Sequence, residues 1–168
     1  MAISSESNAP YAPAATIVNL LKRFREKGLT TPVTADVLIR SGIPESLISR
    51  TLQALQLLEL AGEDGQPTET FKKIRAVAEK DYQETLAAWI KQVYANVFSF
   101  VDPATDDEIR VRDAFRTFMP HGQQDRMVKL FLALCAEAGL VDQSKKAESK
   151  PRIRAAATRP VTTNKASV

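Results

Sequence analysis

Ser46, Ser49, Arg50 and Gln53 share one side of a stretch whose other side is apolar, and together they carry groups suited to base edges. A guanidinium can bridge two acceptors of guanine, a carboxamide can pair with both groups of adenine, and serine hydroxyls donate or accept beside them. The competing reading of the same residues is an ordinary solvated helix face. Other chemistry has little to stand on. One cysteine, Cys135, and one histidine, His121, cannot supply the four nitrogen or sulfur ligands of a closed zinc site. Cys135 lies on an apolar face and reads as a buried structural thiol. His121 sits in a Pro-His-Gly turn without an activating partner. Asp106, Asp107 and Glu108 open a helix, where the dipole and capping bonds account for acids without a metal. The six glycines are scattered and form no phosphate loop. No catalytic residue, metal site or cofactor is therefore expected, and the chain is read as a non-enzyme.

The element that would present the four polar residues runs from Thr34 to Gly65 as helix, turn, helix and wing. Thr34 is a plausible N-cap, Gly42 can take the left-handed conformation of a helix end, and Pro44 suits the first turn of the next helix. Leu47, Ile48, Leu52, Leu55 and Leu58 recur at helical spacing and mark the inward side. Gly62-Glu63-Asp64-Gly65 then reads as the turn of a wing. Ahead of this unit, 14–27 is expected as a helix with Ile17, Leu20, Leu21 and Phe24 inward and Lys22, Arg23, Arg25 and Lys27 outward. Residues 76–101 read as one long helix, with Tyr82, Leu86, Trp89, Ile90, Val93, Val97 and Val101 on a single side. Two further helices, 106–119 and 123–138, flank a Pro120-His121-Gly122 turn. The inward residues of the first are Val111, Phe115, Phe118 and Met119. A shift of 80 positions overlays Leu38 on Phe118, Gly42 on Gly122, Leu47 on Met127, Ile48 on Val128 and Leu60 on Leu140, which reads as a degenerate repeat of the helix-turn-helix. The second copy is apolar nearly all round and is expected to be scaffold or interface.

The net charge of +3 is unevenly spread. Residues 144–168 hold seven Lys or Arg against one acid, Glu148, giving +6, so residues 1–143 carry −3. An acidic body weakens an argument for DNA binding from bulk charge, and Glu63 and Asp64 at the wing tip would repel phosphate. Lys72 and Lys73, with Arg75, offer compensating charge if they face the same way. The tail supplies more, through Lys145, Lys146, Lys150, Arg152, Arg154 and Arg159. Its Ala, Pro, Ser and Thr spacing predicts disorder, either as a phosphate tether or as a solubilising end. No run of about 18 apolar residues could span a membrane. The N-terminus lacks the pattern of a signal peptide, and a single cysteine fits a cytoplasmic setting.

From Tyr11 to Leu140 the chain resembles domain-of-unknown-function family 5343, a bacterial and phage family. The resemblance is carried by Tyr11-Ala12-Pro13, by residues 65–72 (GQPTETFK), by residues 93–98 (VYANVF) and by residues 134–140 (LCAEAGL). It implies a mostly helical domain and brings no known activity.

These readings give a mostly α protein of tandem winged-helix-like units joined by a long helix. The divisions are a flexible N-terminus 1–13, a winged-helix-like unit 14–75, a linking helix with a second helix-turn-helix-like unit 76–143, and a disordered basic tail 144–168. The expected function is non-catalytic binding of duplex DNA, with a homodimer plausible. The alternative is a protein-interaction or assembly adaptor on the same scaffold.

Overall fold

The computed structural model describes residue 3 and residues 8–141, and the basic tail from 144 onward lies outside them. α1 (Ala14–Glu26) buries Ile17, Leu20, Leu21 and Phe24, the stripe set by its spacing. Gly28, at φ +74°, ends it. The Thr34 hydroxyl accepts from the Val37 amide and starts α2 (Ala35–Arg40), and Gly42, at φ +89°, turns the chain into α3 (Glu45–Leu57). The buried side of α3 is rotated from the expected one. Ile48, Thr51, Ala54, Leu55 and Leu58 are buried, whereas Leu47 and Leu52 pack only partly against the core. Thr51 is tolerated inside because its hydroxyl donates to the Leu47 carbonyl at 2.7 Å.

After α3 the chain makes a minimal hairpin. Ala61 and Pro67 form an antiparallel bridge, the Gly62 amide donates to the Gln66 carbonyl, and the Thr68 amide donates to the Leu60 carbonyl. A third segment joins through the Val33 amide, which donates to the Gly65 carbonyl at 2.7 Å. Gly65 sits at φ +78°, and a Cβ there would lie 2.7 Å from the Val33 carbonyl oxygen, so both backbone shape and space require glycine. No longer β-strand occurs among the described residues. Thr68 closes the hairpin twice over: its hydroxyl donates to the Glu59 carbonyl at 2.6 Å and accepts from the Phe71 amide, capping α4 (Glu69–Ala76).

The predicted long helix is interrupted. α4 ends at an extended Val77–Ala78 link, α5 (Glu79–Val93) follows, and Tyr94 at φ −97°, ψ 27° separates it from α6 (Ala95–Phe98). The expected apolar side is nonetheless buried throughout, from Tyr82 to Val101. The helix expected at 106–119 is likewise shorter. α7 (Glu108–Ala114) starts at Asp107, whose carboxylate accepts from the Arg110 amide, and gives way to tight turns through Phe118 that leave Met119 exposed.

α8 (Gln124–Glu137) is the centre of the packing, lying against α1, α5 and α7. Around Phe131 gather Tyr94 at 4.9 Å, Phe98 at 5.4 Å and Phe115 at 5.5 Å between ring centroids, mostly edge to face. The α1–α8 contact means that the halves share one continuous core and are not held apart by a linking helix.

Where the N-terminal stretch is described, it is tied to that core. The Ile3 amide donates to the Val93 carbonyl, Asn96 donates to the Ile3 carbonyl, and Ala9 donates to the Met119 carbonyl. Ile3, Ala9 and Ala12 are buried. The described part of this segment, Ile3 and residues 8–13, forms a strap over the second half where looseness was expected.

The proposed repeat is strongest in α3 and α8. The buried residues Ile48, Thr51, Ala54, Leu55 and Leu58 correspond to the buried Val128, Phe131, Leu134, Cys135 and Ala138. Both helices also leave by the same cap. The Leu60 amide reaches the Leu55 carbonyl and the Leu140 amide reaches the Cys135 carbonyl, after a residue of positive φ in each case, Glu59 at 57° and Gly139 at 74°. The correspondence does not extend to α2 and α7, whose positions relative to the turn differ.

Candidate nucleic-acid interface

On α3 the sequence-selected residues lie together on the side away from the core. Ser46 and Ser49 are exposed, and Arg50 and Gln53 are half-buried. The Arg50 guanidinium lies 5.2 Å from the Tyr11 ring centroid, so an aromatic face in the N-terminal strap holds it. That contact fixes the direction of a long side chain, and it also gives Arg50 a structural use that needs no ligand.

The supporting cations divide by role. Lys72 is exposed on α4 and pairs with Glu69 at 3.1 Å, a surface pair that lowers its effective charge, whereas Lys73 is exposed without such a pair among the described residues. Lys145, Lys146, Lys150, Arg152, Arg154 and Arg159 lie outside the described residues.

Arg25 does not face outward as its spacing suggests. Its guanidinium donates to the Ile74 carbonyl at 2.7 Å, the Val77 carbonyl at 3.1 Å and the Glu79 carboxylate at 2.9 Å, and it lies 4.1 Å from the Tyr82 ring centroid. It thus satisfies the C-terminal carbonyls of α4 and joins α1 to the start of α5. Arg75 is also held, with its guanidinium 5.1 Å from the Phe24 ring centroid and against Gly28.

Two arginines that sequence reading did not bring together meet at the α1–α2 junction. Arg23 and Arg40 line a cavity of about 100 Å³ with Gly28, Thr30 and Val37. The only advance signal was position, since each closes the last turn of its helix, where cations favour the dipole. A larger cavity of about 220 Å³ lies between α3 and the hairpin, with Gln56 on one side and Glu63 and Asp64 on the other.

The chemistry-bearing residues elsewhere are accounted for locally. Cys135 is buried, and burial, with a smaller contribution from Asp102, pushes its thiol up to about 12. His121 is exposed. Asp106 accepts from the Asp102 amide and pairs with Arg110 at 3.0 Å, while Asp107 is the cap of α7. No group of three His, Cys, Asp or Glu side chains is arranged to hold a metal among the described residues. No helix among them is long and apolar enough to cross a membrane.

The stretch from Tyr11 through the shared core to the Leu140 cap also has a counterpart among known families. Residues 10–145 match the model of a family of unknown function, DUF5343. The chain belongs to this family. No curated protein and no solved structure matches it. For this DUF5343 member, membership therefore gives the matched span and brings no chemistry with it.

Proposed function

We propose that this protein is a non-catalytic binder of duplex DNA, built on a winged-helix-like unit in residues 14–75. The observation that carries this reading is the polar side of α3 turned away from the core, with Ser46 and Ser49 exposed and Arg50 and Gln53 half-buried, behind a glycine turn and ahead of a hairpin. The order of parts supports it. α1, Val33, α2, α3 and the Ala61–Pro67 hairpin follow one another as in a winged helix, and the Val33 amide donates to the hairpin at Gly65. In this reading α3 enters a major groove, and Lys73 and the basic residues after 144 neutralise neighbouring phosphates. A cytoplasmic setting and a homodimer accompany the proposal.

Fluorescence anisotropy of labelled duplexes, with the full chain, Arg50→Ala and a 1–143 truncation at two salt concentrations, tests it. Arg50→Ala should cost roughly 1 to 3 kcal/mol at a preferred site, and the truncation should lower the salt slope while retaining binding. Equal binding by all three proteins, or none by the full chain, would reject the proposal.

The second reading is an assembly adaptor. Its support is Phe100, 67% exposed, and Ile109, 71% exposed, two large apolar side chains left in solvent around the α6–α7 turn. Light scattering that shows an assembly indifferent to added duplex would favour it.

A further inference from the structure

We propose that the cavity between the C-terminal ends of α1 and α2 is an oxyanion site that takes one phosphate group through Arg23 and Arg40. In its DNA form this rests on the reading above, and the phosphate is then a backbone phosphodiester beside the groove that α3 enters.

Four features converge there. Arg23 and Arg40 come from different helices and line one cavity of about 100 Å³, a space suited to a single tetrahedral anion. Both side chains are exposed, and neither has a carboxylate partner among the described residues, whereas Arg25, Arg110, Arg112 and Arg116 on the same molecule all do. A further cation stands close by, because the Arg75 guanidinium lies against Gly28, a residue of the cavity lining, with its terminal nitrogen 3.0 Å from where a Gly28 Cβ would be. The absence of a Cβ at Gly28 leaves room for that guanidinium.

The donor inventory fits an acceptor-only ligand. Ser41 also lines the cavity, but its hydroxyl already donates to the Val37 carbonyl at 2.8 Å. Among the lining residues that leaves Arg23, Arg40 and Thr30 with side-chain donors to offer, and planar guanidinium forks suit phosphate oxygens. No acid lines the cavity. The larger cavity beside the hairpin is the opposite case, since Glu63 and Asp64 on its rim would repel the same ligand. Position also agrees, because Arg40 ends α2 immediately before the Ser41–Pro44 turn that leads into Ser46 and Ser49.

The test uses the full chain and Arg23→Gln/Arg40→Gln, which removes both charges and keeps polar side chains, with far-UV circular dichroism as the check on folding. Inorganic phosphate is titrated into both ¹⁵N-labelled proteins, and labelled duplex is titrated at several salt concentrations. For a backbone site, the double variant should bind duplex several-fold more weakly, and the slope of log affinity against log salt should fall by about 1. Duplex binding that is unchanged or absent, with phosphate-induced shifts at the Gly28 and Thr30 amides in the parent but not the variant, supports the oxyanion site and assigns it to free phosphate. In the case of absent duplex binding, the DNA reading fails while the site stands. If the variant alters neither the duplex slope nor the phosphate response, or phosphate shifts nothing and duplex is not bound, the site is overturned.

Discussion

The indole N–H of Trp89 donates to the carbonyl of Leu58 at 2.8 Å, a buried bond between α5 and the end of α3. Leu58 is the residue at which α3 leaves its helical ladder, so its carbonyl depends on an outside donor. One half of the molecule thereby completes the cap of the helix that the other half displays.

Trp89→Phe should therefore destabilise the protein by about 1 to 3 kcal/mol, since it leaves a buried carbonyl unsatisfied while retaining most of the apolar contact. Urea denaturation followed by far-UV circular dichroism measures this. A change below about 0.5 kcal/mol would show that the bond contributes little.

Arg25 and Glu79 should behave unequally despite sharing an ion pair. The Arg25 side chain is 15% exposed and serves two backbone carbonyls, whereas Glu79 is 88% exposed. Arg25→Ala should cost about 2 kcal/mol and Glu79→Gln less than about 0.5, because exposed ion pairs are weak and orphaned carbonyls are not. Comparable losses in denaturation midpoint would mean that the ion pair dominates.

Gly65→Ala combines a left-handed backbone with a Cβ 2.7 Å from the Val33 carbonyl oxygen. We expect a loss of at least about 1 to 2 kcal/mol, read by calorimetry. Gly42→Ala is the control, because it shares the positive φ but meets nothing within 4 Å. The difference between the two isolates the steric part.

Alkaline pH should unfold the protein through groups that ionise only when released. Burial pushes Cys135 from 9.0 to about 12, and burial with the nearby Glu137 charge pushes Tyr82 from 10.0 to about 12. Both are neutral in the folded state and ionised in the unfolded state between those values. Stability is thus complete below about pH 9 and falls as pH rises toward 12. Urea midpoints across that interval measure the decline, and Cys135→Ala should flatten its lower part. A constant midpoint would contradict the burial argument.

Much of the scaffold was legible because apolar spacing survives local irregularity, and the same robustness hid the breaks. Tyr94 interrupts α5 and α6 yet keeps Val93 and Val97 on one side, so periodicity reads straight through it. The outward assignment of Arg25 failed for another reason. Period gives a direction on its own helix, whereas the Ile74 and Val77 carbonyls that bind it lie 49 and 52 positions away. The meeting of Arg23 and Arg40 is equally a product of folding, as is the seating of Ile3 and Ala9 on distant backbone. The outward direction of Ser46 and Ser49 was legible because it follows from period on α3 alone, whereas the Tyr11 ring against Arg50 comes from a segment 39 positions away.

The shared exit of α3 and α8 has a consequence for how the surface can change over time. Two helices keep five buried positions in register and the same terminal cap, but α8 is enclosed by α1, α5 and α7 while α3 retains an open side. Variation on α8 is answerable to three neighbours at once. Ser46 and Ser49 are answerable to solvent alone, so drift there can alter what the protein meets without taxing its ability to fold.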